Sequence, residues 1–198
     1  MKCRVCRGPA VNDVRRHNAN FCPKHFLKLC RYQTAKAVKQ FSMLDSGDRV
    51  LVAVNGGKDS IAVWDILIIL GYDAEGFYVG LGDYSDTSES YAPAFAATRG
   101  LRLHTEDLRR DHGFDMPNVS RAAKRAQCSA CGLSKRHLFD EAARRGGYDA
   151  IVTGHNLHDE AAVLMGNVLT CTPTTSPARC HYSLPARVAR KRRSRLCA

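Results

Sequence analysis

Several short stretches of this chain hold residues whose types and spacing could do chemistry. Cys3-Arg-Val-Cys6 and Cys22-Pro-Lys-His25 each set two donors two residues apart. Each pair can grip one ion from a tight knuckle, and three thiolates with one imidazole complete a tetrahedral zinc site. Four protein ligands leave no open position for a substrate, so the spacing predicts structural zinc stapling a segment too short for its own core. Cys30 falls outside this pattern and reads as a packed thiol. A third pair, Cys128-Ser-Ala-Cys131, follows Arg121-Ala-Ala-Lys124-Arg125 and precedes Lys135-Arg136. Alone it is open to zinc, redox or iron–sulfur use, while the neighbouring bases would lower a thiol pKa and draw in phosphate. The bases from Arg121 to Arg125 read equally well as a solvated helix face. Asp159 and Glu160 open the last regular stretch, Thr153 to Ala161. They are either helix capping or, for Asp159, a carboxylate placed to hold Mg²⁺ against a bound phosphate.

The elements that must position these groups centre on Arg49 to Leu70. Arg49–Val54 is a valine-rich run with the pattern of a strand buried on both faces of a parallel sheet. Asn55-Gly56-Gly57 breaks it, and Lys58-Asp59-Ser60 opens an apolar helix stopped by Gly71 and expected to be buried nearly all round. Strand, glycine turn and helix start present free backbone N–H groups and the positive end of a helix dipole, which suits a phosphate. Two glycines let the chain approach that anion closely, with Lys58 or Ser60 as further donors. A βα rhythm continues: strand 75–81, helix 88–98, strand 101–105, helix 134–145 and strand 149–153. This predicts an α/β fold, a parallel sheet with helices on both faces, preceded by a small zinc finger. Ligands of such sheets sit beyond the carboxyl ends of the strands, where Asn55, Gly80 and Gly154 should converge. The expected division is a finger over 1–30, a connector helix over 31–47, a phosphate-binding α/β domain over 48–170 and a basic tail over 171–198.

The glycine turn is not the ordinary P-loop, whose glycines are separated by four residues. Asn55-Gly56-Gly57-Lys58-Asp59-Ser60 instead resembles the PP-loop of ATP pyrophosphatases, usually S-G-G-K-D-S, which cleave ATP between its α and β phosphates. Together with the Cys3, Cys6, Cys22, His25 finger, the 128–136 segment and the 153–161 segment, in that order, the chain resembles the tRNA 2-thiouridine synthetases over residues 1 to about 170. The resemblance implies an adenine nucleotide alpha hydrolase-like fold and a reaction in two halves. ATP adenylates the C2 oxygen of a tRNA uridine with loss of pyrophosphate, and a sulfur donor then attacks C2 as AMP leaves. It further implies that Ala53, Val54, Asn55, Gly56, Gly57, Lys58, Asp59, Ser60 and Gly154 contact ATP. Asp159 would bind magnesium, Lys135 would act as base or charge stabiliser, and Cys128 and Cys131 would ligate a [4Fe-4S] cluster together with a third cysteine. Cys128 thereby joins Lys135 and Asp159 as a catalytic residue. The implied partners are tRNA and a ubiquitin-like sulfur carrier protein or a persulfide donor, and a homodimer is allowed.

Two positions depart from the family pattern: Asn55 replaces a serine, and His158 stands where an Asp is common. From Cys171 the chain turns to Pro, Ser, Thr and Arg, with seven bases and no acid. This reads as disordered. It is expected to be out of frame, which would remove Cys171, Cys180 and Cys197 as ligands; the alternative is a genuine RNA-binding arm. The tail also holds most of the formal charge of +11, since residues 1–170 carry 23 bases against 19 acids. Total charge alone therefore argues weakly for nucleic acid. No run reaches the length of a membrane helix and the start lacks a signal-peptide core, so a soluble cytoplasmic protein without a membrane partner is expected. Nine cysteines in such a setting suggest metal rather than disulfides. The readings that compete with a sulfurtransferase are a truncated zinc-containing ATP- or RNA-binding module without turnover and another PP-loop tRNA-modifying ligase.

Overall fold

The computed structural model describes residues 1–81, 90–113, 116–122, 124 and 127–169, without the side chains of residues 16, 116, 127–129, 160, 163 and 167. The tail and the expected start of the second helix at Ser88 lie outside the described residues. Among those described, no helix is long and apolar enough to cross a membrane. The chain divides into two compact units, Met1–Asp45 and the remainder from Ser46.

The first unit is built on a knuckle, a hairpin and one helix. Cys3 N–H donates to the Gly8 carbonyl at 2.8 Å and Arg7 N–H to the Cys3 carbonyl at 2.9 Å, closing the first turn. Strand β1 (Asn12–Val14) pairs antiparallel with β2 (Ala19–Phe21). Asn18 closes the tight turn between them in the left-handed region at φ 43°, which asparagine tolerates better than most residues. Helix α1 (Pro23–Gln40) then starts inside the finger, eight residues before the expected connector. Cys22 is its extended N-cap, and Pro23 sits in the first turn, where a missing N–H costs nothing.

The second unit has the predicted α/β architecture. Strands β3 (Arg49–Val54), β4 (Asp73–Gly80), β5 (Leu103–Asp107) and β6 (Ala150–Thr153) form one parallel sheet in the order β5-β4-β3-β6. The helices are α2 (Lys58–Ile69), α3 (Tyr91–Arg99), α4 (Leu108–His112), α5 (Met116–Ala122), α6 (Gln127–Gly146) and α7 (Leu157–Leu169). Every residue of β3 after Arg49 is buried, as its valine-rich run requires. Alternation along β4 assigns the helices to faces. Trp64 of α2 lies over Gly76 and packs at a tilt against Phe95 of α3, whereas Phe77 meets Phe139 of α6 edge-on. Helix α2 thus covers one face, and α6 covers the other through Leu138, Ala143 and the core of Leu51, Ala53, Phe77, Val79 and Ile151. The expectation that α2 is buried all round is corrected. It buries Ser60, Trp64 and Leu67, while Ile69 is 40% exposed, because only one side of a helix can lie on a sheet.

One carboxylate is buried in this core. Glu75 accepts from Tyr148 Oη at 2.5 Å and from Arg102 at 3.3 Å, and pairs with His104 Nε2 at 2.7 Å. Arg49 lies 3.8 Å away. Burial pushes the Glu75 carboxyl up, but the bonds from His104 and Tyr148 outweigh it and hold it below its usual range. Burial and the adjoining carboxylate raise the Tyr148 phenol to about 12.

Two tests follow from this packing. A methyl group on Gly76 would stand 2.5 Å from the Trp64 ring, so Gly76→Ala is expected to destabilise the second unit by about 1–3 kcal/mol in urea unfolding. Because the native pKa of Glu75 is depressed, its stabilisation is complete above the unfolded carboxylate range. It is lost as pH falls through the native value. Stability measured from about pH 6 to pH 3 should therefore fall more steeply in the wild type than in Glu75→Gln, and parallel acid limbs would contradict the role given to this network.

Candidate functional site

Strand β3 sits between β4 and β6, and the chain leaves it toward β4 by way of α2 while β6 lies on its other side. The carboxyl end of β3 is therefore the switch point at which such sheets bind ligands. Asn55, Gly56 and Gly57 occupy it. Gly56 has φ 76°, a conformation that disfavours side chains. The Asn55 side chain closes the turn: its Oδ1 accepts the Gly57 N–H at 2.9 Å and lies 2.7 Å from the Ser60 hydroxyl. That hydroxyl is also 2.9 Å from the Gly57 carbonyl and accepts the Asn55 N–H at 3.3 Å. Ser60, 4% exposed, is a brace of the loop rather than a free donor. Lys58 is the reverse case, with its side chain 88% exposed and Nζ 2.7 Å from Asp59 Oδ1. No side chain caps α2, so its first turn is left open to an anion.

Gly154, the first residue beyond β6, lies against this turn. A Cβ there would stand 2.6 Å from both the N and Cα of Ser60 and 2.8 Å from the Asp59 carbonyl carbon. Only glycine lets the β6 loop lie on the backbone of α2. Ala53 and Val54, the last residues of β3, are buried beneath it at 8% and 1% exposure. Gly80 ends β4 at the same rim, with its own Cβ position 2.8 Å from Asp107 Oδ2.

Helix α6 precedes the parallel strand β6 and so runs antiparallel to it, bringing its first turn to the carboxyl rim. Cys128 lies in that turn, and its side chain is outside the described residues. Cys131 is half-buried against the core below, and Lys135 follows four residues later on the same face. Helices α2 and α6 thus flank the sheet on opposite faces and share one rim.

At the start of α7, Asn156 Oδ1 accepts the N–H groups of His158 at 2.9 Å and Asp159 at 3.2 Å, while Asp159 Oδ2 accepts the Asn156 N–H at 3.0 Å. This is a reciprocal capping box, which commits one oxygen of Asp159 and leaves Oδ1 for other work. The Asn-x-x-Asp spacing carried that signal, and Asn156 is the positioning residue it points to.

In the finger, the donor atoms of Cys3, Cys6, Cys22 and His25 all lie within 4.8 Å of one another. Cys6 and Cys22 sulfurs are 3.8 Å apart, and Cys3 Sγ is 3.6 Å from His25 Nδ1. A tetrahedron drawn with zinc–sulfur and zinc–nitrogen bonds of about 2.3 and 2.05 Å has edges of about 3.8 and 3.6 Å. The Cys22–His25 edge is tighter, at 3.1 Å. A metal site of this composition is present, and its geometry suits four-coordinate zinc.

Residues 2–27 match the family described as the 2-thiouridine synthetase TtuA, N-terminal LIM domain. The tRNA-5-methyluridine(54) 2-sulfurtransferase of Thermus thermophilus is 46% identical over 171 residues, 85% of this chain and 53% of that protein. The enzyme of the same name from Pyrococcus horikoshii is 36% identical over 85% of the chain and 54% of its own length. The chain spans about half the length of the curated relatives it matches. In fold it is similar to the U34-tRNA thiolase NcsA from Methanococcus maripaludis, solved with its [4Fe-4S] cluster. That match has a TM-score of 0.70 and 23% identity, and covers 86% of this chain and 58% of that one. With close sequence identity running through the finger and the parallel-sheet unit alike, the chain belongs to the tRNA 2-thiolation family.

Proposed function

We propose that this chain carries the ATP-dependent activation half of a tRNA 2-sulfurtransferase, acting in the cytoplasm with tRNA as substrate and a sulfur carrier protein or persulfide as donor. The observation that carries this is the seating of Gly154 on the Asp59–Ser60 backbone at the switch point, which holds an uncapped helix start facing outward from the rim. ATP phosphates would lie on the N–H groups of that turn. Lys58, anchored only to a neighbouring exposed carboxylate, can swing to the phosphates. Asp159, held in place through Oδ2 by Asn156, would offer Oδ1 to magnesium on the departing pyrophosphate. Ala53 and Val54 would line the nucleotide, with the domain running over 48–170.

In the first half-reaction the uridine C2 oxygen attacks the α-phosphorus and pyrophosphate leaves; in the second, sulfur attacks C2 and AMP leaves. Lys135 would stabilise the charge that develops at C2. Cys128 and Cys131, a C-x-x-C pair of α6, would ligate two corners of a [4Fe-4S] cluster. Such a cluster, when bound, would supply an open iron to carry the incoming sulfur. The finger at 1–30 would hold zinc for structure alone.

The test is ATP–pyrophosphate exchange with bulk tRNA. Exchange is expected to require tRNA and magnesium, and to fall on the order of 100-fold in Gly154→Ala, whose added methyl displaces the loop. Folded wild-type protein that gives no exchange would overturn the proposal. Metal analysis is expected to return one zinc per chain, and Cys22→Ala should lose it and unfold the first unit while leaving the urea transition of the second unit in place.

A further inference from the structure

The charge of this protein is divided between its units. Residues 1–45 hold ten Lys and Arg against two Asp, whereas residues 46–170 hold thirteen bases against seventeen acids. The stretch that would house the chemistry, up to residue 170, is net acidic by four, the finger unit is net basic by eight, and residues 171–198 add seven bases. Within it, α1 contains no acid, and its five bases are Lys24, Lys28, Arg31, Lys36 and Lys39. At 3.6 residues per turn they fall within an arc of about 140° along a helix about 27 Å long. Four of them are exposed and Arg31 is half-buried. No ion pair involves any of the five among the described residues. Tyr32, 61% exposed, lies in the same arc. In the second unit some bases are answered, as Arg145 is by Glu106 at 2.7 Å and Arg99 is by Asp65. Like charges spaced three and four apart oppose helix formation, and Lys24 stands at the positive end of the helix dipole. The stripe therefore opposes the helix it belongs to except at Lys39, which the helix dipole favours in the last turn, and among the described residues no carboxylate of the unit pairs with it.

We infer that the basic stripe of α1 is an RNA-holding surface of this protein, gripping the phosphate backbone of tRNA without reading its sequence. This rests on tRNA being the substrate. Unpaired lysines along one helix face suit a polyanion with regularly spaced charges, and an exposed tyrosine among them can stack on an unpaired base. The finger unit then supplies affinity, and the sheet unit supplies the reaction.

The test uses the full chain and the quadruple variant Lys24→Gln, Lys28→Gln, Lys36→Gln, Lys39→Gln, with bulk tRNA binding measured across a series of KCl concentrations. The variant is expected to bind at least about 100-fold more weakly at low salt, with the slope of log affinity against log salt reduced by about 3. Unchanged zinc content would show that the finger still folds. If wild type binds tRNA and the variant binds it equally well with the same slope, the inference falls and the sulfurtransferase reading stands. Wild type that binds no tRNA overturns both. Stronger binding to vesicles of anionic lipid than to tRNA, lost in the same variant, would reassign the stripe to a membrane surface and overturn the inference.

Discussion

The second unit depends on one close approach, that of Gly154 to the backbone at the start of α2. Two chain crossings with no side chain between them fix the loop after β6 against the loop after β3. Everything at the rim is referred to that contact. The Asn55 side chain closes its own turn, Ser60 braces it, and Asn156 with Asp159 anchors the next helix two residues beyond the glycine. Each of these polar side chains spends hydrogen bonds on shape. The groups left over, the amides of α2, the Lys58 ammonium and one oxygen of Asp159, are those a nucleotide could engage.

The sheet separates holding from reacting. Glu75, Arg49, Arg102 and Tyr148 all lie at or near the amino ends of the strands, where the buried Glu75 carboxylate meets partners that reach the surface. The uncapped turn and the glycines lie at the carboxyl ends. A carboxylate buried among an arginine, a histidine and a tyrosine ties β3, β4, β5 and the approach to β6 together at the end where no ligand is expected. The rim is thereby free to be built from glycine and backbone, which contribute little to stability.

Much of this was legible in the residues. A valine run, a double glycine and a lysine-led apolar stretch specify strand, turn and helix, because each carries its own local physics, and the spacing of Cys3, Cys6, Cys22 and His25 brings four donors together without further help. What stayed hidden depends on partners distant in the chain. The sequence places Gly154 at the ligand rim, but only its contact with Ser60, 94 residues away, shows why glycine is required. Gly76 likewise carries no local signal, since what demands glycine there is the Trp64 ring from a separate helix. The early start of α1 was obscured because Cys22 and His25 drew attention as ligands, although Pro23 between them is a common helix opener. Asn55 and Asp159 were read as ligand groups, and the local turns they close are as much their business.

Trp64 is the only tryptophan in the chain. It is fully buried one turn past Ser60, its indole N–H donating to the Ala74 carbonyl at 3.0 Å. Any tilt of α2 that follows occupation of its leading turn would change the polarity around that indole. The protein thus carries an intrinsic optical reporter, with the emission of a single fluorophore registering how its nucleotide loop is seated.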